Sequence, residues 1–201
     1  DQLVLGQLIH NGDWDPTPHG LPNLLKTIDQ NTTLHVQFKR AAVDPEKDNL
    51  AGFPILYMTG QRKFAFSEPV RKKLREYLDN GGALLCDCAV GASEFRDAFR
   101  DEMKQVYPNK PLKTMGANHP LLNFMYDQRK SALSPMAAEA LGESVPPRLE
   151  IIETDGLPQV IFSPLSMSAG WEQLPRAYNL GYADEDALKL GVNVLMYMAS
   201  H

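Results

Sequence analysis

The sequence predicts a three-layer α/β domain in which a mainly parallel, doubly wound sheet is flanked by helices. Two short apolar runs, 55–58 and 83–88, enclose a segment with helical periodicity, 67–80, and together they describe one βαβ unit. Strands that are apolar on both faces are typical of a parallel sheet covered on each side. Such a unit forms a right-handed crossover, so we expect any ligand crevice at the carboxyl ends of the strands.

Length and composition favour one globular domain over 1–201. The 201 residues are enough for one full core, and 43% hydrophobic with 22% charged residues is ordinary for a folded protein. A net charge of -5 argues against nucleic acid or anionic lipid as a partner. No apolar run reaches the roughly 18 residues of a membrane span, so we expect no direct membrane insertion. The start at Asp1 fits either a trimmed chain or a mature chain that has lost a signal peptide or anchor.

The segments before the βαβ unit predict a strand, a helix and an outer strand. The run 3–9 is largely apolar and predicts the first strand. Leucine and isoleucine then recur at helical spacing over 21–28 and predict a helix of about ten residues. Apolar and polar residues alternate over 34–38, which is typical of an outer strand.

Capping residues define the helix of the βαβ unit. Ser67 is a suitable N-cap, Pro69 is acceptable in the first turn, and Gly81 lies where a left-handed residue ends a helix. The apolar stripe that faces the core consists of Val70, Leu74, Tyr77 and Leu78. Basic residues occupy the other face, which we interpret as a solvated surface.

Beyond the unit, the pattern predicts a helix with Ser93 as its N-cap and then an irregular, proline-rich excursion over 107–147. The excursion is expected to contain one or two short helices, such as 135–141, and its length suggests a functional or interface-forming segment. Two apolar runs, 149–154 and 159–162, predict a hairpin. The final helix carries a buried stripe between Ala187 and Met198.

Polar and aromatic residues follow several of the predicted strands and are expected to converge at one edge of the sheet. We name this edge the strand-end rim and predict that it binds a polar small molecule, such as a sugar, or a partner protein. The ligand-binding residues predicted here are Asp13, Trp14, Thr59, Gly60, Gln61, Asp87, Ser93, His119, Ser163 and Trp171. An ordinary alternative is that the two aspartates cap loops and the two tryptophans belong to the core.

Catalytic and cofactor signatures are weak. Cys86 and Cys88 are expected to share one strand face as buried thiols, because neighbours at this spacing seldom satisfy disulfide geometry. A Cys88 nucleophile assisted by His119 is disfavoured, since no glycine-flanked elbow surrounds the thiol. The histidines lack metal-binding spacing, and the Gly91-Ala92-Ser93 turn lacks a nucleotide fingerprint, so we expect neither metal nor cofactor.

A set of short motifs, in order through nearly the whole chain, resembles the bacterial domain-of-unknown-function family 4159. The motifs are His10-Asn11-Gly12-Asp13-Trp14, Tyr57-Met58-Thr59-Gly60, Leu78-Asp79-Asn80-Gly81-Gly82, His119-Pro120-Leu121, Ser163-Pro164, Gly170-Trp171 and Gly191-Val192-Asn193. The resemblance implies a flavodoxin-like fold of the class I glutamine amidotransferase type, often exported or attached to membrane proteins. It implies no established activity, and Gln61 stands where members commonly have histidine.

Three functional hypotheses follow. The first is an amidotransferase-like domain without a catalytic triad, located in the periplasm or cell envelope, that binds a ligand or partner at the strand-end rim; a cytoplasmic location is the alternative. The second is a hydrolase acting on a carbohydrate or amide through Asp13 or Asp87 with His119. The third is an interaction module that uses the excursion 107–147.

Overall fold

A seven-stranded sheet runs through the part of the chain that this computed structural model describes, residues 2–36 and 40–201. Five neighbouring strands are parallel, and in spatial order they are β2 (Ala41–Val43), β1 (Leu5–Leu8), β3 (Ile55–Gly60), β4 (Ala83–Cys88) and β9 (Leu157–Ser163). Two antiparallel strands, β8 (Glu150–Thr154) and β5 (Lys113–Thr114), extend the sheet beyond β9. The chain therefore winds outward in both directions from a switch point between β1 and β3.

Helices cover both faces of this sheet and confirm the predicted three-layer α/β class. One face carries α1 (Gly20–Asn31), α5 (Ser168–Trp171) and α6 (Asp184–Ala199), and the other carries α2 (Glu68–Asp79) and α3 (Ser93–Val106). Alternate residues of each strand feed the two cores: Tyr57 and Leu85 face α1 and α6, whereas Leu56 and Leu84 face α2 and α3.

The central βαβ unit forms as predicted. Ser67 accepts a hydrogen bond from the Val70 amide, and Pro69 lies in the first turn of α2. Gly81 ends the helix with φ +94°, a conformation that favours glycine. The strands on either side are parallel and in register along their full length, so their carboxyl ends lie together.

The predicted outer strand over 34–38 can be compared with the structure only as far as Val36. Val36 makes a single parallel bridge with Leu3, residues 37–39 lie outside the described residues, and the regular strand is β2. Alanine has low strand propensity, so the sequence signal for β2 was weak; pairing with Gly6 to Leu8 of β1 forms the strand instead. Ser93 is the first residue of α3 rather than its cap, and α3 has no side-chain cap.

The excursion 107–147 packs against the α6 side of the sheet and contributes Leu121, Leu122 and Leu133 to the core. Its short helix, α4 (Pro135–Leu141), forms as predicted, with a Ser134 cap. A short antiparallel pair, β6 (Ser131–Ala132) and β7 (Ser144–Val145), flanks this helix. Among the described residues, every helix is too short or too polar to cross a membrane.

Candidate functional site

Three polar side chains form one row across the end of the parallel sheet. Thr59 on β3 pairs in register with Asp87 on β4, which in turn pairs with Ser163 on β9. All three are buried, and their side chains point to the face that α1, α5 and α6 cover. The sequence prediction that these residues share one edge agrees with this geometry, but they form a covered floor rather than an open surface.

Asp87 holds the connection between β9 and α5. Its carboxylate is 0% exposed and accepts hydrogen bonds from the amides of Met167, at 2.7 Å, and Ser168, at 3.1 Å. Burial raises the pKa of Asp87 to about 6, although these hydrogen bonds act in the opposite direction. Both carboxylate oxygens are therefore used to cap the first turn of α5.

The other polar groups of this floor differ in whether they have a hydrogen-bond partner. The Ser163 hydroxyl donates to the Leu165 carbonyl at 2.6 Å and supports the same connection. The hydroxyls of Tyr57, Thr59 and Ser168 are buried without a hydrogen-bond partner. Burial and, to a smaller extent, the charge of Asp87 hold the pKa of Tyr57 well above its ordinary value. The nearby hydroxyls of Thr59 and Ser168 lower this pKa in part. A buried polar group without a partner is costly, so these three hydroxyls are the least well satisfied part of the floor.

The more accessible part of the site lies at the switch point, where the loops after β1 and β3 meet. We call it the β1–β3 mouth and define it by His10, Asp13, Trp14, Gly60 and Gln61. The Gln61 amide donates to the Asp13 carboxylate at 2.9 Å, and both side chains are partly exposed. Gly60 is required by packing, because a Cβ there would lie 2.4 Å from the Phe95 ring.

His10 fixes the base of the mouth. Its Nε2 lies 2.7 Å from the Thr59 carbonyl, and its Nδ1 accepts from the Gly12 amide at 3.2 Å, which together define the neutral ring with the proton on Nε2. The ring also contacts Phe64 and Phe95, with centroids 4.8 and 5.7 Å away. Burial lowers the pKa of His10, although the bond to Thr59 and the charge of Asp13 oppose this change.

This arrangement predicts a pH dependence. Below the ordinary histidine pKa of 6.5 the unfolded chain takes up a proton that the folded His10 site resists. The stabilisation from neutral His10 is therefore complete above pH 6.5 and decreases as the pH falls towards the lowered folded value. His10→Asn keeps one donor and one acceptor without titrating. In urea unfolding at pH 7.5, 6.5 and 5.5, we expect the stability advantage of the wild type over this variant to shrink with falling pH; a constant difference would contradict the assignment.

The loop that carries Asp13 and Trp14 is tied to the sheet by a network that the sequence did not reveal. Arg40 donates to both carboxylate oxygens of Asp15, at 2.5 and 2.6 Å, and to the buried Gln7 at 2.7 Å. The Gln7 amide in turn donates to the Trp14 carbonyl at 3.0 Å. A glutamine inside the apolar run of β1 was the one available signal.

The two tryptophans occupy different environments. Trp14 is partly exposed in the mouth. Trp171 is 0% exposed, and its indole donates to the Ala187 carbonyl at 2.8 Å within the core. The ordinary alternative of a core tryptophan thus describes Trp171, whereas Trp14 keeps part of its surface exposed.

His119 lies away from the other predicted site residues. Its Nε2 lies 3.9 Å from a Glu153 oxygen, and Nδ1 accepts from the Leu121 amide. Glu153 pairs with Pro158 near the beginning of β9, so His119 lies towards the edge where the parallel strands begin. The prediction that His119 assists Asp13 or Asp87 is wrong in geometry, because those aspartates lie where the strands end.

The turn after β4 carries no nucleophile. Val90 has φ +51°, a strained conformation for a β-branched residue, and the adjacent Gly91 has φ +69°. Cys86 and Cys88 are free and buried, as predicted, and burial raises the pKa of both thiols. Ser93 is exposed at the start of α3. The described residues contain no cluster of three or more His, Cys, Asp or Glu arranged to hold a metal ion.

These features define an α/β domain with a mainly parallel sheet, a buried polar floor and a small polar mouth at the switch point between β1 and β3. The chain belongs to the family described as Domain of unknown function (DUF4159), which it matches over residues 4–199. This match confirms the family resemblance predicted from the ordered motifs. A comparison with curated protein sequences gave no significant match.

Proposed function

We propose that the chain is a ligand-binding domain, related in architecture to flavodoxin-like and class I glutamine amidotransferase-like folds, that holds a polar small molecule at the β1–β3 mouth. The observation that carries this proposal is the Asp13–Gln61 hydrogen bond, which joins the two loops flanking the switch point. Open α/β sheets bind ligands at such a point. A partly exposed carboxylate, an amide and the Trp14 ring together suit a hydroxyl-rich ligand such as a sugar.

The site chemistry favours binding over catalysis. The strained residue in the strand-to-helix turn is Val90, which has no nucleophilic atom. Asp87 uses its carboxylate to hold two backbone amides, and His119 lies towards the other edge. A nucleophile, a base and an orienting group are therefore not assembled among these residues, and we do not retain the hydrolase hypothesis. The family resemblance supports a location in the bacterial cell envelope.

A thermal-shift screen of sugars, nucleotides and amino acids tests the proposal. A ligand at about 100 times its dissociation constant stabilises a protein by about 2.7 kcal/mol. For a chain of this size that is a rise of roughly 5–10 °C in melting temperature. We expect Asp13→Ala and Trp14→Ala to abolish the rise, because each removes a group that would contact the ligand.

Asp101→Ala is the matched control. Asp101 is an exposed carboxylate on α3 that pairs only with Lys104, so its removal is expected to leave the ligand-induced rise intact. An undiminished rise in the Asp13 and Trp14 variants would reject the mouth as the binding site. A full panel without any stabilising compound would reject the small-molecule proposal.

The exposure of two neighbouring apolar residues favours a second candidate, a protein-interaction surface on the excursion 107–147. Phe124 and Met125 are 37% and 45% exposed. Under this candidate, no compound in the panel changes the melting temperature. Replacing Met125, the more exposed of the two, with serine would instead weaken binding to a partner protein with little change in stability, whereas Phe124 also packs against the Tyr197 ring.

A further inference from the structure

A cavity lies at the carboxyl ends of β4 and β9, on the other side of the polar floor from the β1–β3 mouth. Its volume is about 400 Å³, and Gly91 after β4 with Pro164 and Leu165 after β9 form part of its wall. This volume falls within the range of small-molecule sites, about 300–1,000 Å³. None of the residues that define the β1–β3 mouth lines this cavity.

The lining of this cavity is cationic. Arg96, Arg100 and Arg148 contribute three positive charges, and Glu150 contributes one negative charge. The exposed Asp97 contacts Arg96 at 3.2 Å and Arg100 at 3.9 Å but does not line the cavity. The lining thus carries a net charge of about +2, or about +1 when the adjacent Asp97 is included, in a chain whose overall charge is -5.

Arg100 is held in one orientation. Its Nε and Nη2 donate to the two oxygens of Glu150 at 3.1 and 2.7 Å, and its guanidinium lies 6.0 Å from the centroid of the Phe162 ring. A guanidinium fixed in this way loses little entropy when it meets an anion. The same pairing neutralises Glu150, so that carboxylate does not repel a bound anion.

Arg148 supplies a free guanidinium. Its backbone amide donates to the Tyr182 hydroxyl at 3.0 Å, which fixes the position of the residue. Its side chain is exposed and forms no ion pair within the described part of the chain. Unlike Arg100, it keeps all of its donors for a ligand.

The turn after β4 and the loop at Leu180 close another part of the wall. The Leu180 amide donates to the Val90 carbonyl at 3.0 Å, and a Cβ on Gly91 would lie 2.5 Å from the Leu180 carbonyl, so these two segments are in close contact beside the cavity.

We propose that this cavity binds a small molecule bearing at least two negative charges on oxygen, as a phosphate ester or a dicarboxylate does. Arg148 and Arg96 approach the anion from the solvent side, and Arg100 provides the fixed contact. Arginine matches both oxyanions through paired hydrogen bonds.

Isothermal titration with inorganic pyrophosphate and with citrate, at constant ionic strength, tests this proposal. We expect Arg148→Gln to weaken binding roughly tenfold, the equivalent of one lost charge-assisted contact. The double variant Arg96→Gln and Arg148→Gln is expected to lose binding. A preference for pyrophosphate would identify phosphate esters as the ligand class, and a preference for citrate would identify carboxylates.

Arg129→Gln is the matched control, because Arg129 is exposed on the excursion and pairs with Asp127 away from the cavity. Equal affinity in Arg148→Gln and the wild type, or the same loss in Arg129→Gln, would overturn the proposal, as would an absence of heat with both anions. Asp13→Ala should leave anion binding unchanged, so this test and the test of the β1–β3 mouth fail independently.

Discussion

Replacing Asp87 with alanine is expected to lower the free energy of unfolding at pH 7 by about 3 kcal/mol or more. The substitution leaves the buried amides of Met167 and Ser168 without their acceptor, and each such group costs about 1–3 kcal/mol. For a chain of this size the loss corresponds to roughly 6–12 °C in melting temperature. Chemical unfolding in urea measures it directly.

Thr59→Val is the matched control, because Thr59 lies beside Asp87 in the same row and its buried hydroxyl has no partner. We expect it to change stability by less than about 1 kcal/mol or to increase it. If Asp87→Ala were no more destabilising than Thr59→Val, the carboxylate would not be what holds the β9–α5 connection.

Asp87→Asn adds a pH test to the same site. The pKa of Asp87 is raised to about 6 in the folded chain from an ordinary value of 3.8. Between these values the folded chain retains a proton that the unfolded chain has released, so stability falls as the pH rises through this window. The asparagine variant lacks this decline, and the stability of the wild type relative to it should fall from pH 4 to 6.

Asn193→Ala is expected to destabilise the chain by about 2–4 kcal/mol and to loosen the attachment of the excursion. The Asn193 side chain is fully buried on α6, accepts from the amides of Met125 and Tyr126 at 2.9 Å each, and donates to the Tyr126 carbonyl at 2.8 Å. Hydrogen exchange should become faster at the two amides, in addition to the loss measured by urea unfolding.

The exposed Asn31 at the end of α1 provides the comparison. It makes one hydrogen bond, to the Thr27 carbonyl, and Asn31→Ala is expected to stay within about 0.5 kcal/mol of the wild type. A similar small effect at Asn193 would show that the other contacts of the excursion, such as those of Gln128 and Ala132 with Asp186, hold it without Asn193.

The sequence was most informative where local signals agreed with the fold. The βαβ unit has apolar runs, a serine cap and a terminal glycine, and each marks the same boundaries. The hairpin was equally clear, because Asp-Gly is a favoured pair in tight hairpin turns. Asp155 and Gly156 both adopt positive φ in the turn that joins β8 and β9. The row of Thr59, Asp87 and Ser163 followed from strand ends alone.

The failures have physical causes. β2 is built from two alanines and a valine, and pairing with β1 rather than strand propensity forms it. The position of His119 depends on its contact with Glu153, which is distant in sequence. The position of Trp171 depends on the packing of α5 against α6, where its indole bonds to the Ala187 carbonyl. Asp87 was predicted to contact a ligand, but in the structure it is buried and caps α5. The pattern of polar residues does not predict which strand end a short helix will cover.

Two indole signals offer the most direct test of the β1–β3 mouth. The chain has two tryptophans, one partly exposed in the mouth and one buried with its indole bonded to the Ala187 carbonyl. In a proton–nitrogen NMR titration with a compound that raises the melting temperature, we expect the Trp14 indole resonance to shift and the Trp171 resonance to stay in place. Trp14→Phe assigns the two signals. A stabilising compound that leaves the Trp14 resonance unmoved would contradict ligand binding at this mouth.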